Sequence, residues 1–147
     1  MGPGGPGDRT LREAWGPVAM SGRDLVRVRA ISVNLGEVKR ERSSDPGTLL
    51  GWDVAGSVAE AAADGSGAAV GTRIVGVKNA GAWAEYAAVD TAWMAPLPDG
   101  GSFAEAATLP AAGVTAPYAL EQGGQLVGRR LLVTCASGGV GLFAIQL

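Results

Sequence analysis

Alternating apolar and polar positions over residues 25–89 predict a series of short β-strands. In the first of these, Val26 and Val28 alternate with Arg27 and Arg29, which is the two-residue period of a half-buried strand. Further strands are predicted at residues 54–59, 73–78 and 83–89, with a small, polar loop at residues 61–71. Short strands spaced this closely predict a compact antiparallel barrel.

The pattern changes near residue 100, where helical signals replace strand signals. Ser102 and Glu105 have the spacing of a capping box, which predicts a helix from Ser102 to about residue 109. A second helix is predicted over residues 114–122. The continuous apolar run at residues 131–135 predicts a strand of a parallel sheet that is covered on both faces.

A glycine-rich segment at residues 136–141 follows that predicted strand and opens a helical pattern. It matches G-x-G-x-x-G with alanine at the first position, the fingerprint of a dinucleotide-binding turn. Gly138 would allow the main chain to approach a pyrophosphate, and Gly141 would allow helix and strand to pack closely. A plain structural turn is the alternative, since the chain contains 24 glycines. A Walker loop is disfavoured because no Gly-Lys-Ser/Thr follows.

Composition narrows the class of protein. The 147 residues are 47% hydrophobic and 18% charged, as in soluble globular proteins. The net charge of −2 favours neither nucleic acid nor an anionic membrane as a partner. No apolar run approaches the ~20 residues of a membrane span, and residues 1–8 lack the features of a signal peptide. We therefore expect a cytoplasmic protein.

Two residue types limit the possible chemistry. The chain contains no histidine and one cysteine, Cys135. Structural and catalytic zinc sites need three or four ligands drawn mainly from these residues, so we expect no metal site. A Ser-His or Cys-His catalytic pair and an internal disulfide are excluded on the same ground. Cys135 itself is expected to be a small buried hydrophobe at the end of its strand.

Several segments, taken in their order along the chain, resemble the medium-chain dehydrogenase/reductase superfamily, and within it the quinone oxidoreductase (zeta-crystallin-like) group. The likeness rests on residues 25–34, 51–56, 71–76, 81–86, 95–100, 106–110, 112–116 and 131–141. It implies a mainly β fold with some α: a GroES-like barrel in residues 1–122, then the first strand and helix start of a truncated Rossmann domain in residues 123–147. The chain is then a fragment of the active enzyme, with poor turnover by itself.

The resemblance also implies which positions matter. Zinc-dependent members carry their catalytic ligands where this chain has Asn34, Trp52 and Ala112, so the resemblance implies a zinc-independent enzyme. Such enzymes transfer a hydride from NADPH, or from NADH, to a quinone or an α,β-unsaturated carbonyl, and the parent enzyme can form a homodimer. An enoyl reductase of a biosynthetic pathway and a non-catalytic remnant or binding module remain as alternatives.

The cofactor contacts implied by the resemblance fall into two groups. Asn34 and Thr115 are expected near the nicotinamide, and the glycine-rich turn near the pyrophosphate through Ser137, Gly138, Gly139, Val140 and Gly141. No catalytic acid or base is assigned.

Other polar and aromatic residues have structural interpretations. Asn34 could instead only cap the helix that follows it. Trp52 and Trp83 are expected to be wall or core residues, and Asp53 is expected to make a structural hydrogen bond.

Overall fold

A computed structural model describes residues 11–147 of the chain, and the Gly/Pro-rich start of the predicted first domain lies outside them. Five strands form one sheet in the order β4-β1-β2-β3-β5, with every neighbouring pair antiparallel. The strands are β1 (Arg23–Ile31), β2 (Asp53–Glu60), β3 (Arg73–Val77), β4 (Tyr86–Asp90) and β5 (Met94–Pro96). The four strands predicted within residues 25–89 are confirmed, with ends displaced by up to three residues, and β5 is an addition to the prediction.

The connection between β4 and β5 shows that the sheet curls. These strands lie at opposite edges of the sheet, and four inter-strand spacings would separate them by about 19 Å if the sheet were flat. Only the 3₁₀ helix Thr91–Trp93 joins them, and three residues of such a helix span about 6 Å. The sheet must therefore curl until its edges approach, which confirms the predicted barrel-like form.

Lys78 joins two strands that are not neighbours in the sheet. The residue follows β3, and its Nζ donates a hydrogen bond to the carbonyl oxygen of Ala88 on β4 at 2.5 Å. Burial lowers the pKa of Lys78, and the positive charge of Arg23 lowers it further. The hydrogen bond that Lys78 donates to Ala88 links the two sides of the curled sheet.

The core lies inside the curled sheet. Its largest apolar side chains are fully buried or nearly so: Val26, Val54, Val58, Ile74 and Val89. On β1, the predicted alternation is confirmed, because Val26 is buried while its neighbour Arg27 is exposed. Burial of these side chains stabilises the barrel by about 25 cal/mol for each Å² of apolar surface removed from water.

Besides the 3₁₀ helix, one helix lies between β1 and β2, and the others follow β5. They are α1 (Leu35–Glu41), α2 (Phe103–Ala106), the π-helical segment Leu109–Gly113, α3 (Val114–Glu121) and α4 (Gly139–Ala144). The capping box is confirmed, with Ser102 and Glu105 each accepting a hydrogen bond from the other's backbone N–H at 3.2 Å. The helix that it opens is shorter than predicted. The N–H of Thr108 donates to the carbonyl oxygen of Glu105, three residues back, at 3.1 Å, so the four-residue hydrogen-bond pattern of α2 ends before Pro110.

A buried carboxylate fixes the loop at residues 61–71. Asp24 on β1 is fully buried and accepts hydrogen bonds from the backbone N–H groups of Ala62 at 2.7 Å and Ala68 at 2.9 Å. A Cβ on Gly67 would lie only 1.8 Å from the Asp24 carboxylate. The loop is therefore tied to the barrel at two points.

The predicted strand at residues 131–135 is not formed, which corrects one element of the expected fold. Leu132 is 91% exposed and Leu131 53% exposed, whereas a strand covered on both faces would bury both. A parallel strand needs a hydrogen-bonded neighbour, and none runs beside this segment within residues 11–147. The predicted helix start is confirmed as α4. No helix in the described part of the chain is long and apolar enough to cross a membrane.

Candidate functional site

Asn34 lies between β1 and α1, at the N-cap of the helix. Its side-chain Nδ2 donates hydrogen bonds to Asp53 Oδ2 at 2.7 Å, to Glu37 Oε2 at 3.0 Å and to Ser32 Oγ at 3.3 Å. Its backbone N–H donates to Glu37 Oε2 at 2.6 Å. The predicted capping position is confirmed, and the side chain in addition joins two buried carboxylates.

Asp53 is the first residue of β2 and is fully buried. Its Oδ2 accepts hydrogen bonds from Asn34 Nδ2 and from the Ser32 hydroxyl. Its Oδ1 accepts one from the backbone N–H of Ala111 at 2.8 Å. A buried carboxylate is costly unless several donors satisfy it, and here three donors do so. The structural hydrogen bonding predicted for Asp53 is confirmed.

Glu37 is the second buried carboxylate of the site and is 2% exposed. Besides the Asn34 groups, the backbone N–H of Trp52 donates to its Oε1 at 2.5 Å. The donors around Glu37 and Asp53 are therefore amides and one hydroxyl, all of them neutral. Residues 11–147 contain no cluster of three or more His, Cys, Asp or Glu that could hold a metal ion.

Two half-buried tryptophans pack on glycines beside this network. A Cβ on Gly36 would lie 2.7 Å from Cη2 of Trp52, so the indole rests directly on α1. Gly51 has a φ of +101°, and a Cβ there would lie 2.3 Å from the backbone nitrogen of Trp83. The Trp83 indole N–H donates to the carbonyl oxygen of Ser32 at 3.1 Å. Both indoles pack against the backbone, which agrees with the structural role predicted for them.

The π-helical segment lies between the polar network and the glycine-rich turn. Ala111 donates to Asp53, while a Cβ on Gly139 would lie 3.6 Å from the Cβ of the adjacent Ala112. Thr115 is exposed, and its hydroxyl donates to the carbonyl oxygen of Ala111 at 2.5 Å. The π-helical segment thus contacts Asp53, Thr115 and Gly139 of the glycine-rich turn, and Asn34 is joined to it through Asp53.

The glycine-rich turn is open on one side and tightly packed on the other. Ser137, Gly138, Gly139 and Val140 are exposed, whereas Gly141 is buried. A Cβ on Gly141 would lie 2.4 Å from the carbonyl oxygen of Cys135 and 2.7 Å from Cα of Ala136. Gly141 is closely packed, but against Cys135 and Ala136 of the turn and not against the predicted strand, which is not formed. The other side of the turn is exposed.

Cys135 differs from its prediction. The residue is exposed and has a φ of +54°, so the expectation of a buried cysteine at the end of a strand is wrong. Cys135 is exposed because, within the described residues, no neighbouring strand covers residues 131–135.

The structure also reveals site residues that sequence reasoning did not single out. Glu37 and Ser32 contact Asn34 or Asp53 and complete the network. The spacing Asn34-x-x-Glu37 is that of a capping box and could have identified Glu37. No comparable signal exists for Ser32 or for the N–H of Ala111.

Comparison with known proteins decides the family. The sequence matches the alcohol dehydrogenase GroES-like domain over residues 21–99, more than half of the chain. The chain belongs to this family. Within residues 21–99, the GroES-like domain includes all five strands and the network around Asn34.

Two similar proteins are a polyketide synthase system protein and a reductase. The spectinabilin polyketide synthase system protein NorB of Streptomyces orinoci is 36% identical over 143 residues, which cover 92% of this chain and 6% of that protein. The 2-methylene-furan-3-one reductase of Solanum lycopersicum is 37% identical over 139 residues, which cover 84% of this chain and 36% of that protein.

Solved structures agree with this placement. The quinone oxidoreductase of Coxiella burnetii superposes with a TM-score of 0.87 at 29% identity, covering 93% of this chain and 47% of that chain. The quinone oxidoreductase of Thermus thermophilus, studied also in complex with NADPH, has a TM-score of 0.76 at 28% identity, covering 93% and 44%. The predicted resemblance to the quinone oxidoreductase group is confirmed. The chain spans less than half the length of each of these four proteins.

Proposed function

We propose that this chain is part of a zinc-independent, NAD(P)H-dependent reductase that transfers a hydride to a quinone or an α,β-unsaturated carbonyl. Residues 1–122 would form the GroES-like substrate domain, and residues 123–147 the start of the dinucleotide-binding domain. One observation carries the proposal. The Asn34–Asp53 network and the glycine-rich turn contact the same π-helical segment, which supports the proposal that both cofactor contacts belong to one site.

Exposure of the glycine-rich turn supports its proposed contact with a pyrophosphate. Residues 137–140 are exposed, and the first turn of a helix leaves backbone N–H groups without intrahelical partners. These N–H groups would bind the pyrophosphate, while the close packing of Gly141 on Cys135 holds the turn in shape. Bound NADPH would supply the hydride. The protein would supply binding and orientation.

The other residues of the site would position the nicotinamide end and limit access of water. Asn34 and Thr115 would lie near the nicotinamide, and Trp52 and Trp83 would form an apolar wall. We assign no proton donor, because Asp53 and Glu37 are buried and already hydrogen-bonded to neutral donors. Preference for NADPH over NADH, a cytoplasmic location and a homodimeric parent enzyme stay predictions.

Zinc independence is supported by the chemistry of the side chains. Asn34, Trp52 and Ala112 stand at the positions that the family resemblance gives to zinc ligands, and none of them offers a thiolate, imidazole or carboxylate. The amide of Asn34 instead bonds the carboxylates of Asp53 and Glu37. Lewis-acid activation of an alcohol is therefore not proposed.

Calorimetric titration of the 147-residue chain with NADPH and with NADH tests the cofactor proposal. We expect binding that Gly139→Asp abolishes, because the new carboxylate would repel the pyrophosphate while the site has room for a Cβ. Leu142→Asp is the matched control, since Leu142 is an exposed residue of the same helix and lies outside the turn. Absence of binding by both nucleotides at millimolar concentration would overturn the proposal.

A second candidate function is enoyl reduction within a polyketide synthase. The observation that favours it is the 36% identity to NorB across 92% of this chain. The chemistry is closely related, because an enoyl thioester is also a carbon–carbon double bond conjugated to a carbonyl. The two candidates differ in the group that carries the substrate.

Competition between two substrate analogues separates these candidates. With NADPH present, we compare binding of a benzoquinone and of an enoyl-pantetheine thioester to the chain by ligand-observed NMR. Preferential binding of the quinone supports the first function. Preferential binding of the thioester, with loss of the preference when the pantetheine arm is removed, supports the second.

A further inference from the structure

Asp53 contacts two parts of the site that are far apart in the sequence. Its Oδ2 accepts from Asn34 Nδ2, and its Oδ1 accepts from the N–H of Ala111 in the π-helical segment. The neighbouring Ala112 packs against Gly139 of the glycine-rich turn. A single fully buried carboxylate therefore stands between the side chain proposed for the nicotinamide and the turn proposed for the pyrophosphate.

We propose that Asp53 is a positioning residue that sets the orientation of the Asn34 amide and couples it to the glycine-rich turn. This inference rests on the proposed function. The surroundings of Asp53 dictate the orientation, because Asp53 and Glu37 are acceptors and both take the Nδ2 of Asn34 as donor. Only one of the two possible orientations of the Asn34 amide places its NH₂ group toward both carboxylates.

The substitution Asp53→Asn breaks this arrangement while nearly preserving volume. The variant side chain keeps one acceptor oxygen and gains an NH₂ donor, although the hydroxyl of Ser32, the amide of Asn34 and the N–H of Ala111 all point at it as donors. Either Asn34 must rotate or the hydrogen bond to Ala111 must break. Both outcomes disturb the coupling.

Asp24→Asn is the matched control. Asp24 is also fully buried and also accepts backbone hydrogen bonds, from Ala62 and Ala68, but these belong to the loop at residues 61–71 and not to the site. Any general cost of removing a buried carboxylate is therefore shared by the two variants. Effects on the site are confined to Asp53→Asn.

The experiment has two readouts on the full chain, nitrogen–proton NMR without ligand and NADPH affinity. We expect Asp53→Asn to move the side-chain signals of Asn34 and the backbone signals of Ala111 and Gly139, and to weaken NADPH binding about tenfold or more. Asp24→Asn should move none of these signals and change affinity less than about twofold. Equal effects of the two variants, or an unchanged Gly139 signal in Asp53→Asn, would overturn the inference.

The two readouts distinguish failure of the inference from failure of the proposed function. If the wild-type chain does not bind NADPH, the proposed function fails, and the ligand-free spectra still decide whether Asp53 couples Asn34 to the turn. If Asp53→Asn does not fold, Ser32→Ala replaces it, because it removes one donor and keeps the carboxylate. That variant should move the same signals by less, and unchanged signals would contradict the coupling.

Discussion

The carboxylate of Asp53 accepts a hydrogen bond of 2.8 Å from the backbone N–H of Ala111, a residue 58 positions later in the chain. This contact ties the start of β2 to the π-helical segment that follows the barrel. The same carboxylate bonds the amide of Asn34. One carboxylate thus joins the loop before α1, the start of β2 and the π-helical segment.

Metal content is the first prediction. The chain purified without added metal or chelator should contain far less than one zinc per molecule, because no thiolate or imidazole is available at Asn34, Trp52 or Ala112. Elemental analysis by plasma mass spectrometry checks this, and added zinc should leave the thermal unfolding curve unchanged. One tightly held zinc per chain would contradict the account.

Substitution by alanine should lower stability at Gly141 and leave it unchanged or raise it at Gly139. In Gly141→Ala the new Cβ meets backbone atoms of Cys135 and Ala136 at 2.4 and 2.7 Å, so we expect a loss of about 1–3 kcal/mol. In Gly139→Ala the Cβ meets only Ala112 at 3.6 Å, and the change should be neutral or stabilise by up to ~1 kcal/mol. Hydrogen exchange of the α4 amides measures both. Similar exchange in the two variants would argue against the tight turn.

Gly51→Ala should be among the most damaging small substitutions in the barrel. Its φ of +101° strains any residue with a Cβ, and that Cβ would lie 2.3 Å from the backbone nitrogen of Trp83. We therefore expect the free energy of unfolding to fall by about 3 kcal/mol or more. Gly65→Ala is the control, because its φ is +74° with open space around it, so only the ~1–2 kcal/mol cost of the left-handed conformation applies. Chemical denaturation measures both, and equal losses would contradict the packing of Trp83 on Gly51.

The capping box of α2 should make the free energy of unfolding depend on pH in the acid range. The hydroxyl and the N–H of Ser102 lower the pKa of Glu105 below its ordinary value of 4.5. Since the folded pKa is the lower one, the stabilisation is complete above pH 4.5 and is lost as pH falls through the folded pKa. The difference in unfolding free energy between wild type and Ser102→Ala should therefore shrink on acidification. A difference that stays constant or grows would contradict the carboxylate contact.

The barrel could be predicted because its signals are local. Alternation around Val26 identifies a half-buried strand without knowledge of any partner, and the spacing of Ser102 and Glu105 identifies a helix start. The early end of α2 is not predicted, because the bond from the Thr108 N–H to the carbonyl of Glu105 leaves no signal in the residue types. Local pattern thus predicts where elements exist better than where they stop.

The site could be predicted only in part. The sequence predicts Asn34 and the glycine-rich turn as candidate site residues, but the contact of Asp53 with Ala111 depends on how distant segments pack. The prediction of a strand at residues 131–135 is wrong for a related reason. Apolar residues such as Leu132 favour a buried strand only when neighbouring strands are present to cover them, and residues 11–147 provide none.

The central claim is that one nucleotide contacts both Asn34 and the glycine-rich turn. The most direct test is a nitrogen–proton NMR titration of the wild-type chain with NADPH. We predict that the backbone signals of residues 137–141, the side-chain signal of Asn34 and the backbone signal of Thr115 move together along a single saturation curve. Signals of the loop at residues 61–71 should stay in place. Saturable shifts confined to other surfaces, or shifts in the turn without any at Asn34, would contradict the claim.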